Sequence, residues 1–197
     1  MIATPSYLTA DEYLAFEQTS QTKHEYRNGQ IYAMAGASNT HVTIAGNLFA
    51  SLRFNLRGTG CRPYISDTKV YIPVKNTYYY PDVVVSCDSR ESGFNNFLTY
   101  PCLVVEVLSD TTEAFDRGDK FADYRQLDSL TEYVLISQKR MAVDIFHRNE
   151  QDQWVLSAYN ASHSFRLQSI NVDIEVAELY EDVEFAEGSS TPSDAGQ

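Results

Sequence analysis

Two acids interrupt runs that otherwise have the composition of buried strands. Asp82 follows Pro81 at the mouth of Val83-Val84-Val85, and Glu106 stands between Val105 and Val107. A carboxylate inside a buried strand is costly unless it is paired or coordinates a metal. Two on neighbouring strands could meet at one point and hold a hard divalent cation, since Mg²⁺ takes a few carboxylates and keeps water for the rest of its shell. Spacing alone leaves the alternative equally open: Glu106 pairs with a buried Arg or Lys, and Asp82 caps a turn. Lys120 lies four residues after Asp116 and four before Tyr124, so the three share one helical face. A cation beside a metal-held phosphate orients the attacking water and neutralises developing charge, as phosphodiester hydrolysis requires. The competing reading is a solvated Asp116–Lys120 ion pair.

The elements that must position these residues follow from periodicity. Thr9 with Glu12 forms a capping box ahead of Tyr13, Leu14 and Phe16, which predicts a short opening helix. Segments 23–27 and 30–35 flank Asn28-Gly29, the dipeptide suited to a two-residue hairpin turn. From Thr40 onward Val42, Ile44, Ala45, Leu48, Phe49, Leu52 and Leu56 recur at three- and four-residue steps, predicting an amphipathic helix that ends before Gly58. Strands are expected at 62–66, 68–73, 81–87 and 102–109. The continuous apolar runs at Val83 and Leu103 suit the centre of a sheet covered on both faces. A helix is expected over 116–127, followed by strands at 132–137, 141–147, 153–159 and 164–168. Mixing of this kind indicates an α/β or mixed α+β domain spanning 1–187. Residues 188–197 have the composition of a disordered tail.

Composition narrows the function classes. The chain has 197 residues, 43% of them hydrophobic and 21% charged, with no apolar stretch of the ~18 residues that a membrane span needs. The N-terminus lacks the basic and apolar regions of a secretory signal. Cys61, Cys87 and Cys102 are odd in number and widely spaced, and they read as buried thiols in a reducing cytoplasm rather than a disulfide framework or a zinc site. The net charge of −12 opposes nucleic-acid binding on its face. Eight acids and no Lys or Arg lie in 167–197, however, so most of that charge sits outside the rest of the chain. No G-x-S-x-G elbow, P-loop, H-E-x-x-H or Gly-rich dinucleotide turn is present.

The segments EYRNGQIYAMAG, His41, YYYPDVVVSC, VVEVLS, DRGDKFADYRQL and EYVLI together resemble the Uma family of restriction-endonuclease-like proteins, within the PD-(D/E)xK nuclease superfamily. The resemblance covers about residues 7–180. It implies a restriction-endonuclease-like core, a mixed central β-sheet flanked by helices, and Mg²⁺-dependent hydrolysis of DNA phosphodiester bonds, with Mn²⁺ as a substitute. The superfamily lysine two residues after Glu106 is here Leu108, and Lys120 matches the lysine that the Uma family carries on the following helix. The resemblance thus assigns Asp82, Glu106 and Lys120 to catalysis and Asp82, Glu106 and Glu25 to the metal, with the Val107 carbonyl as a candidate third ligand. His41, Asp67 and Tyr124 match family positions that surround the site. A cytoplasmic homodimer without membrane contact is expected. A rival function, from a different class, is a non-catalytic binding or assembly module that retains the nuclease fold, which the acidic charge favours.

Overall fold

Helix α1 (Ala10–Thr19) is the first element among the described residues of the computed structural model, which describes residues 7–91 and 96–185. Its capping box is in place: the Glu12 amide donates to the Thr9 hydroxyl, and the Thr9 amide donates to the Glu12 carboxylate at 2.7 Å. Strands β1 (His24–Arg27) and β2 (Gln30–Ala33) form the expected hairpin. It turns through Asn28 at φ 42° and Gly29 at φ 100°, left-handed angles for which Asn-Gly is suited. Helix α2 (Asn39–Asn55) precedes β3 (Arg62–Ile65), β4 (Lys69–Ile72), β5 (Thr77–Tyr79), β6 (Val83–Ser86), β7 (Phe97–Leu98) and β8 (Leu103–Leu108). Then α3 (Glu113–Phe115), a π-helical segment (Asp116–Lys120) and α4 (Phe121–Tyr124) run on without a break. The chain continues through β9 (Glu132–Ser137), β10 (Ala142–Arg148), β11 (Trp154–Asn160), β12 (Ser164–Leu167), β13 (Val172–Glu175) and α5 (Val176–Leu179).

A six-stranded mixed sheet in the order β11-β10-β9-β8-β6-β3 is the centre of the molecule. Strand β8 pairs antiparallel with β6 and parallel with β9. Side chains alternate across it as the pleat requires. Val83, Val85, Leu103, Val105 and Val107 enter one core with α2, the β12–β13 hairpin and α5. Val84, Val104 and Leu108 enter the other.

The second face is covered by a smaller sheet together with a helix. A second sheet, β2-β1-β5-β4-β7, packs Val70, Ile72, Tyr79 and Leu98 against it, with Phe121 and Tyr124 of α4 filling the remainder. Helix α1 covers the far side of this smaller sheet through a cluster of Tyr13, Tyr26 and Tyr78. Strands β5, β7 and β13 were not evident in the sequence, and the helix expected from 116 begins at Glu113. No helix among the described residues is long and apolar enough to cross a membrane. The expected tail at 188–197 lies outside the described residues.

Contrary to the expectation from their spacing, the cysteines are not all free thiols: one disulfide is present and Cys102 is free. Arg62 and Ser86 are the terminal cross-strand pair of β3 and β6, so Cys61 and Cys87 face each other one step beyond the ladder, and they form a disulfide. Chain separation gave no hint of this register.

Candidate active site

Strand pairing brings the two strand acids together. Val83 is registered against Val105 and Val84 against Val104, so Asp82 stands opposite Glu106 one step past the ladder. Both occupy positions on the face shared by Val84, Val104 and Leu108. They line one cleft of about 650 Å³ together with Glu25, His41, Tyr80, Asp116, Lys120 and Gln138.

Each side chain is held by a definite element. Tyr26 points into the tyrosine cluster under α1, so the alternation of β1 turns Glu25 and Arg27 to the opposite face, and Glu25 reaches the cleft. Ser38 caps α2 by accepting the His41 amide at 3.1 Å, and its hydroxyl donates to Gln138 Oε1 at 2.6 Å. Gln138 Nε2 donates to the Leu108 carbonyl at 2.8 Å and lies 3.4 Å from His41 Nδ1. His41 Nε2 is 2.7 Å from Asp82 Oδ1, and the Val107 amide donates to Asp82 Oδ2 at 2.7 Å. A continuous chain of hydrogen bonds therefore orients Asp82. Val107 contributes to that chain through its N–H.

Lys120 is only 5% exposed, which excludes the solvated ion pair. Its ammonium lies 2.8 Å from Glu106 Oε1, 3.2 Å from Glu25 Oε1 and 3.6 Å from Asp116 Oδ1. Tyr124 donates to Glu106 at 3.5 Å, and Tyr133 donates to the Asp116 carbonyl at 2.9 Å. Burial pushes the Glu106 carboxyl well above the usual carboxylate range; Lys120 opposes the rise, while Asp116 and Asp82 add to it. Burial raises Asp116 likewise. Burial alone would lower Lys120, but Glu106, Glu25, Tyr124 and Asp116 outweigh it and hold the ammonium well above its ordinary value. Three carboxylates, Glu106, Glu25 and Asp116, therefore face a single ammonium.

That imbalance is the test of fit for a metal. Hard carboxylate oxygens with excess negative charge suit a hard divalent cation, and Asp82, Glu106 and Glu25 are the donors that would hold it. Among the described residues no three His, Cys, Asp or Glu side chains form a ready cage. Asp82 has both oxygens engaged by His41 and Val107, and Glu106 has one engaged by Lys120, so their present bonds are internal ones.

Of the residues expected around the site, His41 and Tyr124 are there. Asp67 is not: it pairs with Lys23 at the surface and lines a different depression beside Lys69. Sequence reasoning treated Asp116 only as a surface partner and missed Gln138 and Arg27. The guanidinium of Arg27 is stacked over the rings of Tyr32 (3.6 Å) and Phe115 (4.7 Å), both lining the cleft. Its Nε is buried without a hydrogen-bond partner, and among the described residues no carboxylate pairs with it. The signal available in sequence was its place two residues after Glu25 on a strand.

A family model named Uma2 and described as "Putative restriction endonuclease" matches residues 10–177. The chain is 41% identical over 178 residues to uncharacterized protein slr1290 of Synechocystis sp., covering 90% of this chain and 94% of that protein. It is 34% identical over 159 residues to uncharacterized protein sll1609 of the same organism, covering 80% and 90%. The crystal structure of a protein from Anabaena variabilis, titled a putative nuclease belonging to DUF820, superposes with a TM-score of 0.73 at 16% identity, covering 88% of this chain and 98% of that one. At that identity the likeness concerns the fold.

Proposed function

The chain belongs to the Uma2 family, and from that premise we propose that the cleft is the active site of a Mg²⁺-dependent endonuclease acting on DNA, with Mn²⁺ as a substitute. The observation that carries this reading is the shared face of Asp82 and Glu106 on adjoining strands, with the buried Lys120 ammonium 2.8 Å from Glu106. Asp82 and Glu106 hold the metal in this reading, and Glu25 completes or extends the set. A divalent cation, when bound, would neutralise phosphoryl charge and lower the pKa of water.

The chain's own residues do the rest. The surrounding carboxylates hold the Lys120 ammonium above its ordinary value, so in this reading it acts as a donor and a positive charge. From beside Glu106 it orients the attacking water and offsets charge developing on the phosphate. His41 and the Val107 amide fix the orientation of the Asp82 carboxylate. Arg27, free of acidic partners among the described residues, meets a substrate phosphate at the rim. A homodimer would bring one such cleft to each strand of a duplex, and light scattering would measure it.

One observation favours a second reading, the binding or assembly module: the net charge is −12, and acids crowd the cleft. Nicking of supercoiled plasmid separates the two. The enzyme predicts nicking with Mg²⁺ or Mn²⁺, abolished by chelation and by Glu106→Gln. Intact plasmid under all these conditions would leave the module and remove the enzyme.

A further inference from the structure

The three cysteines that the sequence scatters converge at the end of the central sheet away from the cleft. Cys87 follows β6, the strand entered from Asp82, and Cys102 precedes β8, the strand that carries Glu106. Cys61 and Cys87 are bonded, and Cys102 Sγ lies 3.6 Å from Cys87 Sγ. The pairing of Val85 with Leu103 sets this approach, and the Cys102 amide donates to the Val85 carbonyl at 2.9 Å. Cys87 is exposed, whereas Cys61 and Cys102 are half-buried. A thiol held at near contact with one sulfur of a disulfide is the arrangement that exchange requires.

We propose that Cys61, Cys87 and Cys102 form a thiol–disulfide exchange site in which Cys102 attacks Cys87 and releases Cys61. Deprotonated Cys102 forms a new S–S bond to Cys87 as the Cys61–Cys87 bond breaks. The electron pair leaves on Cys61, which takes up a proton. One disulfide and one thiol give one disulfide and one thiol, so no oxidant or reductant is consumed. The exchange moves the cross-link from the β3–β6 pair to the β6–β8 pair, which carries the cleft acids at its other end. Burial pushes the Cys102 thiol up to about 11, and the thiol donates to the Val85 carbonyl at 3.4 Å, so the resting site is quiet at neutral pH and quickens with alkalinity.

Peptide mapping of the oxidised full-length chain tests this. Lys69, Lys75 and Arg90 place the three cysteines on separate tryptic peptides. Samples held between pH 7 and 9, quenched with acid and blocked with N-ethylmaleimide should contain both Cys61–Cys87 and Cys87–Cys102. The approach to that mixture should speed up about tenfold per pH unit, following the thiolate fraction. Cys61→Ser should yield Cys87–Cys102 alone, and Cys102→Ser should yield Cys61–Cys87 alone. Absence of Cys87–Cys102 from the wild type at pH 9 would overturn the proposal, whatever the variants do. So would a chain in which oxidised glutathione produces no internal cross-link. None of these readouts depends on nuclease activity.

Discussion

Glu106 and Glu132 show how differently two buried acids on neighbouring strands are used. Glu132 is 1% exposed and is satisfied by the amides of Gln168 and Ser169, each at 2.9 Å, together with the Ser169 hydroxyl. Glu106 is 3% exposed and shares one ammonium with Glu25 and Asp116. Removing Lys120 would leave three acids without their cation, so Lys120→Met should cost about 3–5 kcal/mol at pH 7. The cost should shrink on acidification, because the carboxyls then neutralise themselves. Urea midpoints at pH 5 and pH 7 measure this, and an equal cost at both would refute the charge argument. Single-turnover cleavage at saturating metal should fall about 10²–10³-fold in the same variant. Arg27 supports a different expectation: Arg27→Ala should weaken duplex binding about tenfold and lower the salt slope by about one, with Ca²⁺ replacing Mg²⁺. Unchanged anisotropy titrations would take Arg27 out of the interface. The carboxylates were legible in the sequence because a charge inside an apolar run is conspicuous. Gln138 and Arg27 were not, since their roles depend on contacts across nearly a hundred residues of chain or on two rings meeting a guanidinium, and neither leaves a local pattern.

At the scale of elements, local chemistry predicted well wherever it decided the outcome. The Thr9–Glu12 box, the Asn28-Gly29 turn and the three- and four-residue spacing of α2 are all self-contained signals. Strands β5 and β7 have three and two residues, too short to show alternation, and they exist because the smaller sheet gives them partners. The π-helical segment is the other case that periodicity hides. Widened turns of this type recur at functional sites, and here Tyr133 bonds the Asp116 carbonyl while Asp116 and Lys120 both face inward. A side chain at Gly118 would meet nothing within 4 Å, and its φ is not left-handed. Gly118→Ala should therefore leave cleavage intact and stabilise the chain by about 0.4–1 kcal/mol. Deleting Gly118 should rotate Lys120 by about 100° relative to Asp116 and abolish cleavage while far-ultraviolet dichroism stays near wild type. Full cleavage by the deletion variant would show that the widened turn is dispensable.

For the whole molecule, the balance of charge links metal, pH and stability. The acidic end of the chain is partly structural: Val172, Ile174, Val176 and Leu179 are buried against α2 and the central sheet, so the segment covers the core with its apolar side. The cleft carries a separate excess of acid on the other face of that sheet. Glu106 and Asp116 have folded pKa values raised by burial, against ~4.3 and ~3.9 when unfolded. A raised acid contributes stability that is fully present below its unfolded value and is lost as pH rises through the folded one. Lys120, also raised, contributes throughout this range and loses its share only in strong alkali. Without divalent cations the melting temperature should therefore decline between pH 5 and pH 8. A Mg²⁺ ion held as proposed by Asp82, Glu106 and Glu25 would compete with protons for the same oxygens, so its stabilisation should be larger at pH 8 than at pH 5. At a hundred times Kd it would reach about 2.7 kcal/mol, or roughly 5–10 °C for a chain of this size. Glu106→Gln should flatten the metal-free decline and lose most of the Mg²⁺ shift. Calorimetric melts of both proteins, in chelator and in Mg²⁺ at the two pH values, supply the comparison. A Mg²⁺ shift that is equal at both pH values, or that survives in Glu106→Gln, would place metal binding somewhere other than between Asp82, Glu106 and Glu25.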